Sequence, residues 1–296
     1  MTATGPVDRT AILRAMVIMG CSVSLFPGTD AISKYLLRDY DVIQVTWARY
    51  LFHFLLLVVA LGGFRALRWY RTRRLPLLVL RALLSVAATM VFIIAIKSIP
   101  IVDGYAVLFT SPLLIVALSV PLLGERVGIH RWAAVIVGFT GILFVLRPGS
   151  GILQYSALLA FVAALCVALA NIITRILSRT DHVLTTLLYM ATVGTAALTI
   201  LVPFHWRTPT WDAWALMAFS GFIGGVGHFG AIKAIQMAPV SALAPLSYVQ
   251  IVSATALGYF VFDTLPDAWT LAGLAVIVGS GLYVFHRERR AARAAS

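Results

Sequence analysis

Long runs without a charged side chain are the feature that most constrains the fold of this chain. Six of them cover 104–124, 148–174, 182–206, 213–232, 234–262 and 268–286. A helix needs roughly 20 mostly apolar residues to cross a membrane, and these runs have about that length. Charged residues make up only 11% of the sequence, whereas soluble domains carry about 25%. We therefore expect an all-α membrane protein rather than a soluble domain.

Shorter uncharged runs complete the set of spans if a charged residue is allowed at one end, where a long side chain can reach the interface. This predicts ten transmembrane helices, over 11–33, 42–63, 76–97, 101–122, 129–147, 154–177, 183–203, 211–235, 240–262 and 267–286. Pro27 and Gly28 interrupt the first span, and Pro removes a backbone hydrogen bond. We therefore expect a kink or break in that helix.

The positive charge is distributed unevenly along the predicted spans. A net charge of +12 would suggest nucleic acid as a partner if the protein were soluble. With ten spans and the N-terminus inside, however, 17 of the 23 Lys and Arg residues fall in cytoplasmic segments or in the inner ends of the spans beside them. This is the positive-inside bias of membrane proteins. It predicts that both termini are cytoplasmic, that 65–74 is a topology anchor, and that nucleic acid is not a partner.

The two halves of the sequence look like diverged copies of one unit. Ala95-Ile96-Lys97-x-Ile99 returns at 231–235, and Leu123-Gly124-Glu125 returns as Val261-Phe262-Asp263. Each unit holds five predicted spans, an odd number, so the copies must lie in opposite orientations. We expect two inverted five-helix repeats, 11–147 and 154–286, followed by a basic cytoplasmic tail, 287–296. Inverted repeats are frequent in secondary transporters, with the substrate site between them.

Motifs of enzymes and of cofactor sites are absent from the sequence. It contains no Gly-Lys pair, and hence no phosphate-binding loop of the Walker type. It has no HExxH and no GxSxG, and its six His residues lack metal-ligand spacing. Cys21 and Cys166 both fall in apolar runs and provide neither a disulfide framework nor a metal site. We therefore predict no catalytic residues, no metal and no cofactor.

Ionisable side chains within the spans mark the candidate site. A charge at the bilayer centre costs about 2.5–3.5 kcal/mol and therefore faces a cavity or a partner. Asp30 and Lys34 lie four residues apart, on one helical face, and are expected to form a pair. Arg49 and His53 share a face in the same way, with Tyr50 beside them, and an Arg can hold a carboxylate through two hydrogen bonds. The structural alternatives are a pair that only steadies the helix, an Arg49 that reaches the interface, and a His53 that only packs.

Further candidates are polar and aromatic residues in the other spans: Tyr105, Asn171, Arg175, His228, Tyr248 and Gln250. Asn171 and Arg175 stand in the second half where Asp30 and Lys34 stand in the first, which suggests equivalent positions in the two repeats. The alternative for His228, Tyr105, Tyr248 and Gln250 is that they simply line helix contacts. Gly221 and Gly225 form a small-xxx-small face and predict a close helix contact.

With these residues in view, the chain resembles the EamA-type ten-span carriers of the drug/metabolite transporter superfamily over about 12–287. The likeness is carried by the joints Leu123-Gly124-Glu125 and Phe262-Asp263, each followed by a span that contains Gly. The family usually has Glu where Asp263 stands. Three features resemble the S-adenosylmethionine-uptake subgroup: Asp30-x-x-x-Lys34-Tyr35-Leu36 with Arg49, Ala244-Pro245-x-x-Tyr248, and Phe262-Asp263-x-x-Pro266-Asp267. Riboflavin carriers and amino-acid exporters share much of this pattern.

The resemblance implies a bacterial inner-membrane carrier. We expect a secondary active transporter that moves a small polar or charged organic metabolite, similar to S-adenosylmethionine, a vitamin or an amino acid, by alternating access. A proton or sodium gradient, or exchange, would drive it. The alternatives are an exporter of amino acids or drugs and, with less support, an intramembrane lipid-modifying enzyme. The expected partners are the metabolite and membrane lipids, and the sequence leaves open whether the carrier is a homodimer.

Overall fold

Apolar segments that enter a membrane must satisfy their own backbone polar groups, which helices do, and helices dominate this chain. The structure is a computed structural model that describes residues 9–123, 128–146, 151–177, 180–237 and 243–294. These ranges contain no strand, three short 3-10 helices at Gly63–Tyr70, Val202–His205 and Ala244–Tyr248, and eleven α-helices. The α-helices are α1 (Arg9–Leu36), α2 (Val42–Ala60), α3 (Leu75–Ser98), α4 (Ile101–Leu108), α5 (Ser111–Leu123), α6 (Ile129–Leu146), α7 (Ile152–Leu177), α8 (Val183–Leu201), α9 (Trp211–Met237), α10 (Val249–Phe262) and α11 (Ala268–Ala294).

Six helical segments in the described ranges are long and apolar enough to cross a membrane. They are Ile12–Leu36, Val42–Ala60, Leu75–Ser98, Ile101–Leu122, Tyr155–Leu177 and Val183–His205. Shorter apolar helices cover Trp132–Val145, Leu246–Phe262 and Ala268–Tyr283. The all-helical prediction is thus confirmed, whereas the count of ten spans stays a prediction.

Two prolines bear on the differences between the predicted spans and the helices. The helix α1 passes through Pro27 without ending, so the expected break is absent, and the kink stays a prediction. The predicted span 101–122, in contrast, divides into α4 and α5. Pro112, the second residue of α5, has no N–H to donate back to the preceding turn.

Helices of the first half pack chiefly on helices of the second half. The helix α1 lies on α9, α3 on α7, and α6 on α11, while α2 contacts both α8 and α9. The largest buried apolar cluster joins α3 and α4 to α6, α7 and α11 through residues such as Phe92, Tyr105, Ile142, Ala160 and Leu274. Contacts between the two halves of the sequence therefore hold the bundle together.

Large apolar side chains also cover the outside of the bundle. Leu80 on α3, Ile136 on α6 and Phe222 on α9 are exposed, and many others accompany them. Soluble proteins rarely expose extended apolar surface. The outer face is therefore suited to lipid, with polar contacts kept inside.

Glycine brings α6 and α11 into backbone contact. A Cβ atom on Gly273 would lie 2.7 Å from the Gly141 carbonyl oxygen and 2.6 Å from Val145 Cγ2. Without side chains at these two positions the helices approach closely, as small residues permit in membrane proteins.

We therefore expect Gly273→Ala to destabilise the protein, because its methyl group meets the backbone of α6. Overpacking of this kind costs about 1–3 kcal/mol. Gly279→Ala on the same helix is the matched control, since a Cβ atom there meets nothing within 4 Å. Thermal unfolding of the purified protein in detergent measures both variants; equal midpoints would contradict this contact.

Candidate functional site

A buried ion pair joins the first two helices. The Nη1 atom of Arg49 on α2 donates to Oδ1 of Asp30 on α1 at 2.8 Å. Tyr105 on α4 donates its hydroxyl to the other carboxylate oxygen, Oδ2, at 2.6 Å. Asp30 and Tyr105 are 6% and 1% exposed, so water does little to screen this cluster. Three helices thus meet at one carboxylate, and each of its oxygens has a strong donor.

Lys34 does not pair with Asp30, and the sequence prediction of that pair is wrong. The Lys34 ammonium donates instead to the Ile99 carbonyl at 2.6 Å and lies 5.3 Å from the centre of the Phe262 ring. Ile99 caps the C-terminal end of α3, where carbonyls lose their partners within the helix. Lys34 therefore satisfies a helix end, while Arg49 takes the carboxylate.

A cavity adjoins the ion pair on the Arg49 side. It is lined by Arg49, Tyr50, His53, Thr89, Met190, Gly221, Gly224 and His228. The rings of His53 and His228 are parallel within 2°, with centroids 5.7 Å apart. His53 is buried, and its Nε2 atom has no hydrogen-bond partner among the described residues. Four predicted site residues thus line one cavity: Arg49, Tyr50, His53 and His228.

The glycines of α9 make this cavity by letting α9 approach α2. A Cβ atom on Gly221 would lie 2.9 Å from the Arg49 carbonyl oxygen, and one on Gly225 would lie 3.0 Å from His53 Cδ2. The close contact predicted from this small-residue face is confirmed. It places His228 of α9 opposite His53 of α2.

A row of aromatic rings connects the ion pair to the second half. Tyr105 lies 6.2 Å from Phe109, and Phe109 lies 5.4 Å from Tyr248, measured between ring centroids. Tyr248 therefore belongs to the same aromatic row as the residue that holds Asp30. Gln250, in the first turn of α10, is half-buried, and the described contacts do not connect it to the ion pair.

Asn171 and Arg175 lie apart from the cluster. Both are exposed on α7, which packs against α3, α4 and α5. The structure therefore gathers Asp30, Arg49, Tyr50, His53, Tyr105, His228 and Tyr248, but not the second-repeat equivalents of Asp30 and Lys34.

Sequence reasoning missed Thr89 and Met190 of the cavity wall, together with Arg81 on α3. Thr89 follows Ser85 by four residues, and Ser85 follows Arg81 by four, so the three share a face of an otherwise apolar helix. That periodicity was available as a signal. Met190 carried none, because a methionine in an apolar run looks like any other packed residue.

A double-mutant cycle can test which cation pairs with Asp30. Replacing Asp30 by Asn leaves the Arg49 charge without its partner, a change that is strongly destabilising for buried pairs. We expect Asp30→Asn and Arg49→Gln to be coupled by at least about 1 kcal/mol in stability. The matched cycle with Lys34→Gln should show coupling near zero, and the reverse pattern would restore the pair expected from sequence.

Comparison with known proteins identifies relatives of this chain. The sequence model of the EamA-like transporter family matches residues 14–147 and again 154–285. An S-adenosylmethionine uptake transporter of Rickettsia bellii is 28% identical, over 88% of this chain and 90% of that protein. A riboflavin transporter of Rhizobium johnstonii is 27% identical, over 72% and 71%. A pseudopaline exporter of Pseudomonas aeruginosa is 26% identical, over 69% and 72%.

A solved structure supports the fold. One crystal structure superposes with a TM-score of 0.63 at 22% identity and covers 93% of this chain and 98% of its own. The family and these relatives are named as transporters rather than enzymes, and the apolar helices fit a multi-pass membrane protein. The family matches together span most of the sequence, and this chain belongs to the EamA-like transporter family.

Proposed function

We propose that the chain is a secondary carrier of a small charged metabolite in the bacterial inner membrane, working by alternating access. Its ten spans would form two inverted five-helix repeats, 11–147 and 154–286, with both termini and the 287–296 tail cytoplasmic. The two separate family matches, at 14–147 and 154–285, support two repeats. The packing of first-half helices on second-half helices supports a site between them.

The observation that carries this proposal is the Asp30–Arg49 pair beside a cavity. A group with an ammonium and a carboxylate can exchange into such a pair, its carboxylate on Arg49 and its ammonium on Asp30. Each buried charge would then keep a partner throughout, which avoids the large cost of an isolated one. An α-amino carboxylate has this combination of charges.

This chemistry favours one of the relatives' substrates over another. S-Adenosylmethionine carries an α-amino carboxylate, whereas the polar groups of riboflavin are uncharged at neutral pH. We therefore propose a substrate similar to S-adenosylmethionine or an amino acid. Export of such a compound is the second candidate, favoured by the likeness to the pseudopaline exporter, because an ion pair serves either direction.

The driving force would be a gradient or exchange. Carboxylate and imidazole side chains within spans form the proton relays of many transporters, and Asp30, His53 and His228 lie at or beside the cavity. We propose proton coupling at these groups. Sodium coupling and substrate exchange are the alternatives, and the uptake experiment below includes a condition for each. The lipid-modifying enzyme has no support from the family.

Uptake into liposomes tests the proposal. We expect the reconstituted protein to accumulate radiolabelled S-adenosylmethionine without ATP when given a proton gradient, a sodium gradient or internal S-adenosylmethionine. Arg49→Lys should reduce uptake at low substrate at least about tenfold, since an ammonium cannot hold a carboxylate through two hydrogen bonds. Lys97→Gln, an exposed cation at the end of α3, should leave uptake unchanged. Strict dependence on ATP, or full activity of Arg49→Lys, would refute the proposal.

Labelling from each side of the membrane tests the orientation. In a variant without Cys21 and Cys166, a cysteine at the exposed position Arg73 should react only after cells are opened, because 65–74 is predicted to be cytoplasmic. A cysteine at the exposed position Arg207, in the segment before α9, should react in intact cells. The opposite pattern would show an inverted orientation.

A further inference from the structure

One cation inside the bundle has no counter-charge among the residues that the structure describes. Arg81 lies within α3, seven residues after the end of the predicted topology anchor 65–74. It forms no ion pair in the part of the chain that the structure describes. Its Nε atom donates to the Thr174 hydroxyl of α7 at 2.8 Å. Its Nη1 atom is buried and has no hydrogen-bond partner there. A buried donor left unpaired costs about 1–3 kcal/mol, and more when charged, so this group calls for a physical explanation.

A polar face of α3 connects Arg81 to the cavity. The Ser85 hydroxyl donates to the Arg81 carbonyl at 3.0 Å, and the Thr89 hydroxyl donates to the Ser85 carbonyl at 2.9 Å. The Thr89 oxygen lies 3.3 Å from the Tyr50 hydroxyl. Because Thr89 has already used its single hydrogen, Tyr50 is the donor in that contact. The face thus runs from the cavity wall to Arg81, about 12 Å along the helix axis.

We propose that Arg81 is a second binding residue for the carboxylate of the substrate, and that the Thr89–Ser85–Arg81 face lines the path to it from Arg49. This rests on the proposed transport function. Intramembrane arginines usually mark substrate or ion pathways, and a guanidinium with a free Nη1 presents the donor that a carboxylate needs. Asp30, the proposed partner of the substrate's ammonium, lies at the Arg49 end of this path. An arginine lies at each end of the path, so the carboxylate is the group that would move between them.

The first experiment needs no knowledge of the substrate. In the protein without Cys21 and Cys166, a Ser85→Cys variant is reconstituted in neutral phosphatidylcholine vesicles, which excludes anionic lipid as the occupant. Its reaction rates are measured with an anionic methanethiosulfonate, the sulfonatoethyl reagent, and with the cationic trimethylammonioethyl reagent. Arg81→Gln should lower the ratio of anionic to cationic rate at least about fivefold, because one nearby positive charge is lost.

Matched variants separate charge from structure. Arg81→Lys keeps the charge and should keep most of the rate ratio, and Arg65→Gln, which removes an exposed arginine from the 63–70 segment, should leave it unchanged. Size-exclusion profiles report the folding of each variant. An unreactive Ser85→Cys, or a ratio that Arg81→Gln does not alter, would overturn the proposal.

The second experiment separates this inference from the proposed substrate. Uptake of S-adenosylmethionine is compared with uptake of its decarboxylated analogue. Arg81→Gln should reduce the first at least about fivefold and change the second little, since only the first carries the carboxylate. Uptake of S-adenosylmethionine at the full rate by Arg81→Gln would refute the role of Arg81 and leave the carrier function intact. If the unmodified protein transports neither compound, the proposed substrate fails, and the rate ratio at Ser85→Cys still decides whether Arg81 acts on anions.

Discussion

The ion pair between Asp30 and Arg49 is the interaction on which the arrangement of this site depends. Either charge alone would be costly within an apolar bundle, and together with the Tyr105 hydroxyl they join α1, α2 and α4 at one carboxylate. The cavity begins on the other side of Arg49, so the residue that completes the pair also forms the cavity wall. A ligand that draws Arg49 into the cavity must therefore supply another positive charge for the Asp30 carboxylate. The charge of the ligand is in this way linked to the positions of three helices.

Sequence reasoning predicted the helical class, the close contact of α2 with α9 and most members of the cluster, because each depends on a local pattern. Uncharged runs define helices, and a four-residue spacing of glycines defines a contact face. The predicted partner of Asp30 was wrong because a local pattern does not show contacts with other helices. Spacing shows that Lys34 shares a face with Asp30, but not that the Ile99 carbonyl lies within its reach at the end of another helix.

Contacts between distant segments explain the rest of what the sequence could not predict. The aromatic row passes from Tyr105 and Phe109 at the end of α4 to Tyr248, and the sequence does not indicate that Phe109 and Tyr248 are close. Asn171 and Arg175 were chosen by their equivalence to Asp30 and Lys34 in the repeat, yet they are exposed on α7. Repeats that diverge can keep their helices while losing the chemistry of individual positions, so equivalence in sequence is a weaker guide to a site than a shared cavity.

The contact of α6 with α11 has a consequence for how the halves of this protein can move. The two helices each end a stretch matched by the family, and Gly141 and Gly273 bring their backbones together away from the cavity-lining residues. Backbones in contact leave no layer of side chains that could shift to absorb a sliding motion. A rearrangement of the halves must therefore either keep this crossing as its pivot or separate the two helices, and a pivot turns small tilts there into larger displacements at the far side of the bundle.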